Sequence, residues 1–479
     1  RNCSKKLTPL LAKYYVHCPP SSLLALARAA KRPDSARFCV HSLGSSHLEI
    51  FLSDPKPRNS GPIFYGYYLV GAAFVAQFIS TGMYSYVLGS FMEPMTTELG
   101  WSRADFTLTR TIGQMVMAFV GIYIGSRVDI YGGKPIMLCG SVLLGLMLAL
   151  TSQVETLSQW LILNGVMVTI GCAMLGNLVV NVTLSKWFVE RRGIVISIAA
   201  MGVSFGGVVL TPLATWLVDT IGWRDAWVWL GVGATALTLP LALIMRRAPE
   251  DHGLHPDGLS AEQIAQGRGE RARLELAASF TRREAVQTFS FYALVIAFGF
   301  FSINIFVLLI HTVPLLSDAG LTRNEAAFAM LVASVPAMIS KPVWGYWIDR
   351  TSPKPLAAVS ASVTGIALFL IVYATASSSL LWIYAAYAVL GLGWGGMIPM
   401  QEVIWASFFG RRFLGAIRGA AMPYALALSA LAPWLVSIYR DTMGSYDGAL
   451  LIVATLNVFS GVLIFFAPAP KKKQQTPAE

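Results

Sequence analysis

Apolar residues come in long blocks from Tyr65 onward, separated by short polar punctuation. The blocks predict helices over 65–88, 103–124, 135–151, 158–184, 192–218, 224–245, 288–314, 323–345, 355–375, 380–405, 414–437 and 447–467. At 1.5 Å per residue, each is long enough for a hydrocarbon core of about 30 Å. One connection is long: 246–287 is polar and Arg-rich, and it divides the helices six and six. The expected fold class is an all-α membrane protein of twelve transmembrane helices in two six-helix pseudo-symmetric halves. The expected segments are 61–246 and 288–467 for the halves, 247–287 for a linker and 468–479 for a basic tail. Residues 1–60 carry ten basic residues against three acids, with much Ser and Pro. They are expected to be disordered or an extension outside the folded protein.

Composition supports a lipid environment. The chain is 55% hydrophobic and only 13% charged, against about 25% charged in a soluble domain. Its net charge of +11 does not point to nucleic acid, because the basic residues sit in short loops between apolar runs. Arg127, Lys134, Lys186, Arg191, Arg192, the Arg-rich 246–283 stretch, Arg350, Lys354, Arg411, Arg412 and Arg418 fall on one side, with Lys471–Lys473. By the positive-inside bias that side is cytoplasmic, with both termini on it. The five cysteines form no CxxC or Cys/His cluster, so no metal or cofactor is expected. No Gly-rich loop ending in Lys-Ser or Lys-Thr is present. The expectation is a secondary transporter rather than an ATP-driven pump or an enzyme.

A shift of 220 residues superimposes the two halves without a gap from Gly100 to Arg192. Gly125, Asp129, Lys134 and Pro135 fall on Gly345, Asp349, Lys354 and Pro355. Arg191 and Arg192 fall on Arg411 and Arg412. Matched Asp, Lys, Arg and Pro in loops exceed what similar helix composition produces. Ser102 with Asp105, and Thr322 with Glu325, have the spacing of helix N-terminal capping boxes. Gly125-x-x-x-Asp129 and Gly345-x-x-x-Asp349 close the second and eighth helices on the basic side. There a glycine allows close helix approach. The acid can pair with a basic side chain or with a helix N-terminus. We expect these residues, with Lys134, Arg350, Arg191, Arg192, Arg411 and Arg412, to form a gate that latches in one state and breaks in the other.

The stretch from Gly125 through Asp129 to Gly132-Gly133-Lys134 resembles the signature loop of the major facilitator superfamily. Trp187-Phe188-Val189-Glu190-Arg191-Arg192, followed by Gly202 and Gly206, is similar to a motif of monocarboxylate transporters. Pro249-Glu250-Asp251-His252-Gly253-Leu254-His255-Pro256-Asp257-Gly258 resembles bacterial members of that branch and of the oxalate/formate antiporter family. Gly410 to Gly419 looks like the matching segment before helix 11. The resemblance covers about 65–470. It implies transport of small organic anions by alternating access, as proton symport or anion antiport. It also implies a bacterial inner membrane and a cavity lined by helices 1, 4, 7 and 10. The essential Arg-Pro-x-x-Gly of monocarboxylate transporters corresponds to Lys341, Pro342 and Gly345. Charge is kept there, while the fork of Arg is lost. The upstream acid of that family is Ala337 here, and Ser85 lies near its helix-1 charge.

Ionisable groups inside membrane spans are costly and point to function. Lys341 is the leading candidate to bind a carboxylate; the competing reading is a lysine snorkelling to the basic surface. Arg110 can fork onto a carboxylate, or anchor at the outer interface beside Arg103. His311 can carry a proton or donate to an anion, or can bond a freed carbonyl near Pro314. Glu402 can carry a proton, but an ion pair with Arg411, Arg412 or Arg418 is favoured. Asn177 and Asn181 share a face of helix 4, and the repeat sets Gln401 opposite Asn181. These amides suit either substrate contact or helix–helix hydrogen bonds. The expected partners are a small organic anion, protons and the lipid bilayer, with the chain a monomer. Rival readings are an exporter of neutral or cationic compounds, and a non-transporting membrane sensor.

Overall fold

The first helix does not run straight. A computed structural model describes residues 63–470 apart from Ser378. The expectations for residues 1–60 and for the tail from residue 471 lie outside the described residues. α1 passes through Gly66–Thr81, a π-helical turn at Gly82–Tyr86, and Leu88–Leu99. α2 spans Arg103–Tyr131 and α3 Gly133–Thr151. α4 is Leu157–Trp187, with a π-helical stretch at Leu161–Val168 and an extended residue at Gly176. Arg192–Ile244 is one run of 53 residues that leaves helical geometry at Gly222, φ 80° and ψ 160°. We take α5 before that glycine and α6 after it. Only glycine adopts such a conformation freely.

The linker contains 3-10 turns at Glu250–His252 and Pro256–Gly258 and short helices at Ala261–Ala265, Glu270–Ala277 and Arg282–Val286. The second half follows as α7 Phe289–Asp318, α8 Arg323–Ile348, α9 Pro353–Ser377 and α10 Leu380–Phe409. α11 is Leu414–Ala430 continued by Ala432–Met443, and α12 is Asp447–Phe466. Ten helical runs among the described residues are long and apolar enough to cross a membrane. The 53-residue run supplies two crossings and the segmented α1 one more, which gives twelve.

Two helices outrun their expected ends the furthest. α1 continues past 88 to Leu99 although it contains Pro94. Phe91 and Met95 are fully buried there, and their packing outweighs the one N–H that proline removes. α2 continues past 124 because Val128 and Asp129 on its last turns are buried. Both capping boxes form. Ser102 and Thr322 accept from the N–H groups of Asp105 and Glu325, whose carboxylates accept from the N–H groups of Ser102 and Thr322. Large apolar side chains such as Phe119, Tyr373 and Leu381 are 70%, 74% and 77% exposed. A helical bundle bearing such a surface is matched to lipid, which solvates apolar side chains and forces every backbone group into the helices.

Candidate substrate site and gates

At the basic end the halves are sealed by two matched contacts. Gly125 on α2 lies against Gly415 at the start of α11, and a Cβ there would overlap the Gly415 carbonyl oxygen. Gly345 on α8 lies against Gly193 at the start of α5 in the same way. These glycines let backbone meet backbone. Each Asp then reaches the N-terminus of the facing helix. The Asp129 carboxylate accepts from the Ala416 N–H at 2.8 Å. The Asp349 carboxylate accepts from the Gly193 and Ile194 N–H groups at 2.6 and 2.9 Å. Free N–H groups and the helix dipole make such positions favourable for a carboxylate.

The matched pair differs in one side chain. Asp129 also holds the Lys186 ammonium at 2.8 Å, and both side chains are buried. The position 220 residues beyond Lys186 is Ala406, so Asp349 lacks a lysine there. Asp349 lies just past the end of α8. Burial pushes its carboxyl up to about 6, while the two N–H groups and the charge of Arg192 pull the other way.

The linker straps across this seal. Arg192 donates to Glu275 at 2.8 Å. Arg411 pairs with Glu250 and donates to the Lys186 carbonyl. Asp257, at φ 59°, accepts from the N–H groups of Val189, Glu190 and Arg191. Arg191 donates to the Tyr67 hydroxyl, and the Arg412 N–H donates to Ser279. Arg350 lies over the Tyr346 ring, 3.5 Å from its centre. A cavity of about 550 Å³ beside the seal is lined by Asp129, Lys186, Arg247, Glu250, Asp251 and Arg411 among others. Lys134 lines none of the cavities described here.

Above the seal lies a cavity of about 430 Å³ between the halves. Tyr86 of α1 and Ser204, Gly207 and Thr211 of α5 form one wall. Residues of α7, α8 and α10 form the other, chiefly apolar: Ile305, Leu309, Met330, Leu331, Trp394 and Met397. The cavity extends from Lys341 toward the end away from the basic loops. Lys341 is 3% exposed, and its ammonium donates to the Ser204 hydroxyl of the opposite half. No acid lines this cavity. Lys341 therefore does not reach the basic surface, one turn further on at Gly345.

Arg110 is elsewhere. It stacks on Tyr84 with its guanidinium carbon 4.2 Å from the ring centre. Tyr84 and Asn177 line a separate cavity of about 200 Å³ between α1, α2, α4 and α11. Lys341 lines the larger cavity and Arg110 lines none of the three, while the π turn of α1 puts Tyr84 on the smaller cavity and Tyr86 on the larger.

The remaining candidate residues line none of the three cavities. Asn181 is fully buried and accepts from Gln77 of α1 at 3.1 Å. Gln401 lines none of the three cavities. His311 bonds through Nε2 to the Pro433 carbonyl of α11 at 3.0 Å. Glu402 is 2% exposed and accepts from Arg418 at 2.7 Å.

The duplicated Gly-x-x-x-Asp contact, the twelve helices and the cavity between halves agree with a family model, "Major Facilitator Superfamily", that matches residues 73–433 and 293–479. The chain belongs to the Major Facilitator Superfamily. It is 25% identical over 420 residues to mouse (Mus musculus) monocarboxylate transporter 11, covering 86% of this chain and 89% of that one. It is also 25% identical to the fujikurins efflux protein of Gibberella fujikuroi, over 86% of this chain and 84% of that one. The solved proton:xylose symporter XylE shares the superfamily fold, with a TM-score of 0.66 at 14% identity over 84% of this chain and 96% of that chain. The protein is thus a multi-pass integral membrane transporter and not an enzyme.

Several residues of this superfamily member escaped the sequence reading. In the sequence Lys186 marks topology only, and nothing around it points to Asp129. Glu250 and Asp257 stand out in the sequence only as part of the Pro249–Gly258 stretch, with no sign of their partners, and Glu275 only as polar linker. The Asp257-Gly258 pair was the one local sign of a left-handed turn. Ser204 and Tyr84 carried no signal in sequence, since an isolated hydroxyl in an apolar run is common.

Proposed function

We propose that the protein carries a small organic monoanion, a monocarboxylate with an apolar body, through the cavity at Lys341. The observation that carries this reading is a buried ammonium in the cavity between the halves with no acid lining it. Burying an unpaired charge costs several kcal/mol. A carboxylate beside Lys341 removes that cost, and the Ser204 hydroxyl can turn to accept or donate. The apolar wall from Ile305 to Met397 then suits the organic part of the anion. A cationic cargo is disfavoured, because Glu402 is committed to Arg418 and lines no described cavity.

The same charge suggests the coupling. With anion bound, the site is neutral and the halves can rock. Without it, Lys341 must cross as a bare cation. Exchange of anion for anion therefore runs faster than net flux, unless a proton leaves or joins the site. The basic face is taken as cytoplasmic, with both termini on it, and a bacterial inner membrane as its location. On that orientation the sealed end is the cytoplasmic one.

The test is counterflow in proteoliposomes against a panel of mono- and dicarboxylates, with and without a pH gradient. Wild type should exchange a monocarboxylate. Lys341→Ala should lose at least tenfold in rate, and Lys341→Arg should retain most of it. Full uptake by Lys341→Ala removes the proposed site. No uptake of any carboxylate by wild type sinks the anion reading.

A further inference from the structure

Two aromatic rings line the Lys341 cavity from opposite halves, and each is held in place by its own half. They belong to Tyr86 of α1 and Trp394 of α10. One edge of the Tyr86 ring lies against Gly207 of α5, where an added Cβ would come within 3.0 to 3.2 Å of three ring carbons. A residue without a side chain is what lets the ring lie so close to the α5 backbone. Trp394 is fixed by hydrogen bonds. Its indole N–H donates to the Asn304 side-chain oxygen on α7. An indole nitrogen only donates, so it sets which end of the amide faces it. The Asn304 NH2 group donates to the Asn457 side-chain oxygen on α12 at 2.7 Å, and the Asn457 NH2 group to the Val453 carbonyl at 3.0 Å. Both asparagines are fully buried. A buried network whose members find their partners holds one geometry.

Trp394 also stands beside the charge. Its neighbour Gly395 packs on α8, where an added Cβ would lie 3.2 Å from the Lys341 backbone nitrogen. A carboxylate at the Lys341 ammonium therefore places the group it carries alongside the indole. The cavity measures about 430 Å³, within the range of about 300–1,000 Å³ that sites for drug-sized ligands occupy. An acid as small as propionate would leave most of that space as water against apolar walls. Met330 and Met397 also line it, and thioether sulfurs make favourable contacts with ring edges.

We propose, resting on the carboxylate reading of this cavity, that its cargo is an aromatic monocarboxylate, a flat ring on a short chain. The carboxylate sits at Lys341 and Ser204, and the ring sits against Trp394 and Tyr86. Aromatic pairs in offset or edge-to-face contact gain beyond what apolar burial supplies. Apolar burial alone favours a saturated ring as much as an aromatic one, so the two contributions can be told apart. Lys341 and Trp394 belong to the C-terminal half, and Ser204 and Tyr86 to the N-terminal half. An aromatic acid thus bridges the halves twice, once through its charge and once through its ring.

The test is counterflow by the full-length transporter in proteoliposomes, with kcat/KM measured for 3-phenylpropionate, 3-cyclohexylpropionate and propionate. Wild type should favour the phenyl acid about threefold over the cyclohexyl acid and about tenfold or more over propionate. Trp394→Leu should bring the phenyl-to-cyclohexyl ratio to about one, while Trp394→Phe, which keeps a ring, should hold it at about twofold or above. Gly207→Ala pushes the Tyr86 ring into the cavity and should lower the phenyl-to-propionate ratio about threefold or more. That variant keeps the test valid if the Trp394 variants fail to fold. A wild type that handles the cyclohexyl acid as well as the phenyl acid, or propionate better than both, overturns the aromatic class and leaves the Lys341 site standing. A phenyl-to-cyclohexyl preference that Trp394→Leu leaves unchanged also overturns it. Exchange of none of the three acids overturns the carboxylate reading, and the aromatic class falls with it.

Discussion

Asp129 and Asp349 hold matched places in the two halves, yet they are stabilised by different means. Asp349 relies on two N–H groups of α5 and on the field of Arg192. Asp129 has one N–H of α11 at hydrogen-bond distance and the ammonium of Lys186. One gate is a carboxylate on a helix end, and the other is a carboxylate that is also half of a buried ion pair. The helix-end contact is soft, because opening it returns one acid to water. The ion-paired contact is stiff, because losing either partner strands the other's charge. Both acids stand in register in the two halves, and the lysine stands in one copy only.

The largest effect should come from stranding that charge. Asp129→Ala leaves Lys186 buried and unpaired, which costs about 3–5 kcal/mol when a buried pair is broken. Asp349→Ala removes a helix cap only, worth about 0.5–2 kcal/mol. Thermal unfolding of the purified transporter should show the N-terminal variant falling much further. Equal losses would mean that Lys186 finds another acid, and the distinction between the gates would go.

The glycines offer a middle-sized test of the same contrast. Gly125→Ala pushes a methyl group into the Gly415 carbonyl, where backbone faces backbone. Gly345→Ala meets the Ser197 hydroxyl first, a side chain that can rotate, and then the Gly193 carbonyl. Overpacking costs about 1–3 kcal/mol, and the first site has less room to yield. A cysteine at buried Ser185, in a background without other cysteines, should be alkylated faster when the basic end opens. Gly125→Ala should raise that rate more than Gly345→Ala. The reverse order would show that α5–α8, not α2–α11, is the tighter seal.

These contrasts were only partly visible in the sequence. The 220-residue register announced both Gly-x-x-x-Asp copies, and the capping boxes at Ser102 and Thr322 were legible because their chemistry is local. The partners of the acids were not. Lys186 reaches Asp129 from 57 residues away, and only the packing of α4 against α2 brings them together. Lys341 stood out as a charge in an apolar span, and so did Arg110. What the sequence could not tell was that Lys341 lines a cavity and Arg110 none of the three, or that a π turn in α1 puts Tyr84 and Tyr86 on different ones. Such a turn has no hydrophobic signature, since Met83, Tyr84 and Tyr86 read as ordinary apolar positions. The linker acids were hidden for the opposite reason: in a polar stretch, every charge looks solvated.

The smallest effect concerns pH and belongs to the soft gate. Burial holds the Asp349 carboxyl at about 6 while the basic end is sealed. When the end opens, water reaches it and it returns to the ordinary value of about 3.9. The sealed form therefore binds a proton more tightly than the open form. Between pH 6 and pH 4, falling pH favours the seal; the added stability is complete below about pH 4 and is lost as pH rises through 6. Two groups near Asp349 modulate this, the Arg192 cation that lowers its value and the Asp257 anion that raises it. The alkylation rate at the Ser185 cysteine, divided by its thiolate fraction at each pH, should fall severalfold from pH 6.5 to pH 4.5 with Asp349 in place. Asp349→Asn, which cannot titrate and keeps an oxygen for one of the Gly193 and Ile194 N–H groups, should flatten that profile. A profile unchanged by Asp349→Asn would assign the pH response to another group, and the soft gate would differ from the stiff one in strength alone.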